Sequence, residues 1–352
     1  MTFMRHKNGK KSTFGRILGI LLWVFLGLLA AALLSAFFYG RYLLNKINYV
    51  DPEEQSYLSS EEVSEYMAST EPEDINPELE TLADEDLDWG ETTEPAPVPE
   101  ETINILLIGQ DSRSTTGRSL SDVMILVTVD KNAKTITLTS ILRDLYVQIP
   151  EYGNSKLNHT YGWGGFDLLN KTLENNFGIQ VEGNLEVNFY RFAQLIDLLG
   201  GVDVELRGDE AAWINRSVGY NGLCAGMQHL NGQQALSYSR IRSLDGDADF
   251  SRTARQRKVL TSLFNKFRTS DAETLMRLME EAMPMLTTDM SQLELVTLAA
   301  EVLPILPECT LVSQRIPADG EYYGAIIHGM SVLVADMDAA RELVAKTMYP
   351  ES

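Results

Sequence analysis

The fold is decided by INILLIGQDSRSTTGRSLSDVMILVTVDKNAKTITLTSI, residues 103–141. INILLI (103–108) is an unbroken apolar run of strand length, the pattern of a strand buried on both faces, and it stops at Gly109. DVMILVTVD and KTITLTSI follow with a short polar turn around Asn132 between them, which predicts an antiparallel hairpin. If Val129 pairs with Thr135 across that turn, Asp122 falls beside Leu142 and Arg143 beside Ser121. A carboxylate and a guanidinium then meet at one end of the sheet. Asp111 lies just past the first strand, and if that strand runs antiparallel to the second, its loop returns to the same end with a second carboxylate.

Beyond the hairpin, helices are expected over 165–177 and 189–199, the second capped by Asn188 and stopped at Gly200-Gly201. VDVEL (202–206) reads as a strand, and Ser291 with Glu294 makes a capping-box pattern before LELVTLAAEVL. Interleaved strands and helices over residues 102–352 favour an α/β fold, a three-layer α/β/α domain around a central mixed sheet.

A hydrophobic content of 44% is ample for a core in one or two domains. The net charge of −21 conceals three regions. Residues 1–50 carry no acid and about +7, residues 51–101 carry about nineteen acids and no base, and the remainder sums to about −9. Residues 17–39, ILGILLWVFLGLLAAALLSAFFY, are uncharged and would extend about 34 Å as a helix, against a hydrocarbon core of about 30 Å. This predicts a single transmembrane helix, because the apolar part of a cleaved signal peptide is shorter, about 7–15 residues. Arg5, Lys7, Lys10, Lys11 and Arg16 precede the span and only Arg41 and Lys46 soon follow it. Residues 1–16 are therefore expected in the cytoplasm and the rest of the chain outside the cell. Residues 40–101, acidic and ending in TTEPAPVPEET, read as an extracytoplasmic stem too poor in apolar side chains to offset its ordering entropy, with SSEEVSEYM as one short helix.

Charges sit where a core should be in ALSYSRIRSLDGDADFSRTARQRKVLTSLFNKF (235–267). On a helical wheel of residues 251–267, Val259, Leu260, Leu263, Phe264 and Phe267 form one apolar stripe that also contains Arg252 and Gln256. Arg255, Arg257 and Lys258 fall toward its edges or beyond, as solvated charges do. An inward Arg252 without an anion would cost several kcal/mol, so its surroundings must supply one. Arg240, Arg242 and Arg252 face Asp245, Asp247 and Asp249 in a short segment. One reading is a salt-bridge network, or a solvated loop before a mixed-charge helix. The other is a pocket for a phosphorylated ligand, which guanidinium groups grip in bidentate fashion. Paired Asp residues near several Arg would also suit a pyrophosphate bridged by Mg²⁺, since hard oxygens hold that ion. Taken singly, Asp111 reads equally as a turn residue and Asp122 as the start of a strand.

Other chemistries lack their residues. The sequence has no GxxxxGK[ST], HExxH or GxSxG pattern, and His6, His159, His229 and His328 are too scattered for a metal site. Nucleic acid is excluded as a partner by a net acidic domain with no basic face beyond the arginine segment. Cys224 and Cys309 lie outside the cell in this topology, and their separation in sequence leaves a disulfide open. The Met-rich LMRLMEEAMPML (275–286) reads as helix core ahead of lipid surface.

The motifs NILLIGQDSR, LSDVMILVTVD, TSILRDLYVQIP, KLNHTYGWGG, NFYRFAQLIDLLGGVDVEL, HLNGQQALSYSRIR and DFSRTARQRKVL, in this order, resemble the LytR-CpsA-Psr family of cell-wall glycopolymer ligases over about residues 102–268. The membrane span and stem fit that family's layout. The resemblance implies a sheet flanked by helices with an apolar tunnel for a lipid tail, and Mg²⁺-dependent transfer of a glycan phosphate from a polyprenyl pyrophosphate carrier to peptidoglycan, at the outer face of the membrane. It also implies that Asp111 and Asp122 organise the metal, with Arg143 beside them. Arg240, Arg242, Asp249, Arg252 and Gln256 would complete the pyrophosphate shell, while Arg113 and Lys156 sit in matching motifs. In the expected reaction Asp122 takes the proton of the attacking sugar hydroxyl. A pyrophosphatase acting with water and a lipid-binding regulator without turnover are the other readings of the same residues.

Overall fold

The computed structural model describes residues 38–51, 57–69, 78–90, 98–110, 120–242, 244–245 and 248–348. Residues 38–46 belong to a separate amino-terminal unit, and the body of the fold begins at Ile47. The expected span 17–39 lies, apart from Phe38 and Tyr39, outside the described residues. Among those described, no helix is long and apolar enough to cross a membrane.

Fourteen strands are described: β1 (Asn48–Tyr49), β2 (Glu80–Thr81), β3 (Thr102–Gln110), β4 (Val123–Asp130), β5 (Thr135–Ile141), β6 (Tyr146–Ile149), β7 (Gly153–Lys156), β8 (Gly183–Asn188), β9 (Val202–Leu206), β10 (Gly226–Leu230), β11 (Leu286–Thr288), β12 (Thr310–Ile316), β13 (Tyr322–Ile327) and β14 (Met330–Ala335). The helices of this body are α1 (Ser60–Ser69), α2 (Leu157–Phe177), α3 (Phe189–Leu198), α4 (Gly208–Val218), α5 (Gly232–Ser239), α6 (Ala248–Thr269), α7 (Ala272–Ala282), α8 (Gln292–Val302) and α9 (Met337–Met348). Seven strands form the central sheet in the order β1-β11-β8-β3-β4-β5-β12. It is mixed, because β3 pairs parallel with β8 and antiparallel with β4.

β3 sits in the middle, which is why its sequence shows no alternation: both faces are covered. Leu106, Ile108, Met124 and Leu126 pack with Leu168, Leu169 and Leu173 of α2 and Val344 of α9. On the opposite face Ile103, Ile105, Ile125 and Val129 meet Leu260, Phe264 and Phe267 of α6 and Leu295 and Leu298 of α8. A second core joins β9 and β10 to α3, α4 and α5, and Val259 brings α6 into it. α6 is therefore shared between two cores.

Several expectations are corrected. The hairpin register is one residue away from that anticipated: Asp130 pairs with Thr135 and Val129 with Ile136. The turn, residues 131–134, is one residue shorter than the expected pairing leaves, because Asp130 Oδ1 accepts the amides of Asn132 (2.9 Å) and Ala133 (2.8 Å) while Lys134 adopts φ 51°. The helix expected at 165–177 begins at Leu157 and carries a kink at Gly165, whose φ of 66° and ψ of −149° leave helical space. α3 follows its expected cap, with Asn188 accepting from the Tyr190 amide, and the Ser291–Glu294 box opens α8. Both cysteines are free, Cys224 exposed and Cys309 buried.

The acidic stretch departs most from expectation. Tyr57, Leu58, Val63, Tyr66 and Met67 pack on the main core, and the Leu58 amide donates to the Trp163 carbonyl at 2.9 Å. Leu82, Leu87 and Trp89 pack on the core of β13 and β14, with Trp89 stacked on Tyr146 at 6.3 Å between ring centroids. Average composition missed this because the few apolar residues are spaced to one side; Val63, Tyr66 and Met67 follow helical spacing and α1 docks along them.

Candidate functional site

The site grows from the ends of β4 and β5. Met124 pairs with Ile141, so Asp122 and Arg143 both lie just beyond the paired residues. Backbone bonds fix each: the Asp122 amide donates to the Gly109 carbonyl at 3.0 Å and the Arg143 carbonyl accepts from the Asn158 amide at 3.0 Å. The side chains meet, with Arg143 Nη1 donating to Asp122 Oδ1 at 2.6 Å. Behind them Arg143 Nε lies 3.3 Å from Asp144 Oδ2, and Lys156 Nζ lies 3.5 Å from Asp144 Oδ1. Lys156 is 2% exposed, so Asp144 supplies a counter-charge to a buried ammonium as well as a brace for Arg143.

Two other segments reach the same place. α5 ends at Ser239 and releases Arg240 and Arg242, and the first turns of α6 present Arg252 and Gln256. Asp122, Ser239, Arg240, Arg242, Arg252 and Gln256, with Phe189 at the start of α3, line one cavity of about 250 Å³. The wheel placed Arg252 inward, and it is 4% exposed. The Arg240 guanidinium lies 5.1 Å from the centre of the Phe189 ring, a cation–π contact that aims it. Gly109 permits this approach, since a Cβ there would come within 2.8 Å of the Phe189 ring. Five of the residues singled out in the sequence thus share one cavity, and a sixth, Arg143, braces Asp122 from beside it. Asp111, Arg113 and the side chain of Asp249 lie outside the described residues. Phe189 and Ser239 were missed. Each stood within a recognisable motif, but Phe189 read only as the first residue of a helix.

Arg255 is buried and Arg257 partly so, contrary to the wheel reading. Arg255 is 3% exposed and ion-paired with Glu210 at 2.8 Å, because α6 is covered on two sides rather than one. Burial, with Arg315 nearby, pushes the Arg257 guanidinium down to about 10. His159, two residues past the Leu157 start of α2, is buried among Trp163, Lys156 and Ser155; desolvation first and Lys156 second push it down to about 4, so it is neutral at pH 7.

Beside the charged cavity, the sheet face under α6 and α8 is apolar. Leu107, Val123, Val127 and Leu185 stay partly accessible although they sit in the interior of that face, as do Leu260 and Phe264 opposite them. An accessible apolar lining within a covered sheet suits a hydrocarbon chain more than water. Arg143 occupies one oxygen of Asp122 and leaves the other open to a hard cation or to a proton. Among the described residues no group of three His, Cys, Asp or Glu could hold a metal ion.

Comparison with known proteins agrees with this geometry. Residues 59–348 match the LytR_cpsA_psr family. The polyisoprenyl-teichoic acid–peptidoglycan teichoic acid transferase TagU of Oceanobacillus iheyensis is 38% identical over 173 residues, 47% of this chain and 52% of that protein. The regulatory protein MsrR of Staphylococcus aureus is 37% identical over 163 residues, 46% of this chain and 48% of that protein. The matched region spans about half the length of these curated relatives. Among solved structures, TagT bound to LIIa-WTA superposes with a TM-score of 0.59 at 26% identity, covering 74% of this chain and 98% of that one.

Proposed function

The chain belongs to the LytR-CpsA-Psr family, and from that premise we propose that it is a glycopolymer–peptidoglycan ligase: it moves a glycan phosphate from a polyprenyl pyrophosphate carrier onto peptidoglycan. The observation that carries this reading is the convergence of Asp122, Arg240, Arg242, Arg252 and Gln256, from three separated segments, on one cavity beside an apolar lining. A diphosphate needs the guanidinium groups and a prenyl tail needs the lining. The carrier comes from a lipid phase, so burying its tail yields little net free energy, and selection rests on the head group.

Phosphoryl transfer demands positioning and charge neutralisation rather than covalent help from the protein. Arg240, Arg242 and Arg252 hold the diphosphate oxygens, and Gln256 adds a neutral hydrogen bond. A sugar hydroxyl of peptidoglycan attacks the phosphorus bearing the glycan. The new P–O bond forms as the bond to the bridging oxygen breaks, and polyprenyl phosphate leaves with that oxygen. Arg143 holds Asp122 so that its second oxygen accepts the hydroxyl proton. Mg²⁺, held by Asp111 and the diphosphate oxygens, would neutralise charge on the leaving phosphate; giving the free oxygen of Asp122 to the proton leaves it no second role as metal ligand. The apolar stretch at 17–39 anchors the chain in the cell membrane with the catalytic body outside.

The name of the MsrR relative favours one rival, a regulator that binds lipid without turnover. Incubating the full-length protein in detergent with a polyprenyl-pyrophosphoryl glycan, with and without peptidoglycan oligomers, decides. Glycan linked to peptidoglycan is the expected product. Free phosphorylated glycan would make the protein a pyrophosphatase, and unchanged lipid a binding protein.

A further inference from the structure

The cavity arginines sit on a loop whose shape is set elsewhere. Ile241, between Arg240 and Arg242, is fully buried, and its carbonyl accepts from Arg255 Nη1 at 3.1 Å. The same guanidinium donates through Nε to Glu210 Oε1 at 2.8 Å and through Nη2 to Asp245, further along the loop. Glu210 belongs to α4, where its other oxygen accepts the Arg207 amide at 2.9 Å and closes the first turn of that helix. Arg207 Nη1 reaches Asp245 at 2.7 Å from the opposite side. One planar fork in α6 thus ties α4 to both ends of the segment 241–245.

An ion pair this buried, 3% and 4% exposed at the side chains, is a poor source of stability, because desolvating both charges offsets most of their attraction. What it does supply is geometry. From this arrangement we propose that Arg255 and Glu210 are positioning residues that hold the Arg240–Arg242 loop in its ligand-binding shape. The inference rests on the diphosphate reading of the cavity. Arg240 is also braced by Phe189, and Arg242 lies between the clamped Ile241 and Asp245.

The test replaces the pair with apolar side chains of similar size, Glu210→Leu with Arg255→Met, since such swaps commonly preserve or raise stability. In full-length protein, equilibrium binding of a short-chain polyprenyl pyrophosphate should weaken about tenfold to a hundredfold, the loss expected for one or two charge-assisted hydrogen bonds. Arg242→Ala should cost about tenfold alone but under about threefold in the clamp-free background, a coupling a purely structural pair would not produce. Equal cost in both backgrounds, or native affinity in the folded double variant, overturns the proposal. Amide hydrogen exchange over 240–245, measured without ligand, should quicken at least about tenfold in the double variant. Unchanged exchange also overturns the clamp, and this readout stands even if the native protein binds no polyprenyl pyrophosphate, a result that would instead remove the diphosphate reading. If the double variant does not fold, Arg255→Lys serves, because one ammonium cannot reach Glu210, the Ile241 carbonyl and Asp245 together.

Discussion

Arg252→Met separates the binding role of the cavity from a structural role more cleanly than any other single change. Arg252 is 4% exposed and shares a helical stripe with Val259 and Leu263, so methionine can occupy the space without leaving a void. Removing a desolvated charge offsets whatever its interactions contribute in the empty protein, so folding stability should change by no more than about 1 kcal/mol. For a domain of this size that is a melting shift within about 2–4 °C. Function should respond very differently. Each charge-assisted bond from a guanidinium to a phosphate oxygen contributes about 1.5–3 kcal/mol, and a bidentate fork makes two, giving roughly 3–6 kcal/mol, or a loss of about 10² to 10⁴ in transfer. The assay is kcat/KM for transfer to peptidoglycan oligomers beside a thermal melt of the same preparation. A melting temperature lowered by more than about 8 °C, with transfer within about threefold of native, would refute the reasoning and make Arg252 a member of a salt-bridge network.

Asp122→Asn removes the proton acceptor while keeping a group that can accept from Arg143, so kcat should fall at least about 10²-fold with little change in lipid affinity; equal kcat would reassign the base. Gly109→Ala drives a methyl group toward the Phe189 ring, at 2.8 Å before any shift, and should weaken polyprenyl pyrophosphate binding through Arg240, which a binding isotherm unchanged from native would contradict. His159 binds its proton less readily folded, at about 4, than unfolded, near 6.5, so its contribution is present above pH 6.5 and is lost as pH falls toward 4. That shift corresponds to roughly 3 kcal/mol, and His159→Gln should flatten the dependence of the denaturation midpoint on pH across that window; an unchanged slope would assign the acid sensitivity to other groups.

What could be read from the sequence, and what could not, follows from the range of the interactions involved. Burying β3 on two faces leaves a local mark, an apolar run without alternation, and the cap at Asn188 and the box at Ser291 are equally local. Arg252 was legible for a related reason: a charge inside an apolar stripe is so costly that its position alone announces a partner. The register was missed by one residue because the Asp130 side chain, through two amide contacts, sets the turn length, and strand alternation cannot see that. The docking of residues 57–67 was missed because composition averages away a one-sided spacing.

Arg255 failed for the deepest reason. Its wheel angle lies just outside the stripe defined by Val259 and Phe264, and that stripe was read as one face against one core. α6 instead lies between two cores, with Phe264 in the sheet core and Val259 in the core of α3, α4 and α5. A helix held on two sides buries a wider arc than any single stripe suggests, and a charge on the added arc needs a partner from the second body. That partner, Glu210, is 45 positions away and in its own sequence looks like an ordinary acid in the first turn of a helix. Neither residue signals the other, because the ion pair exists only once the second core has closed on α6. The arginines that would touch ligand are therefore legible from their own segment, while the pair that sets their geometry is visible only in the folded chain.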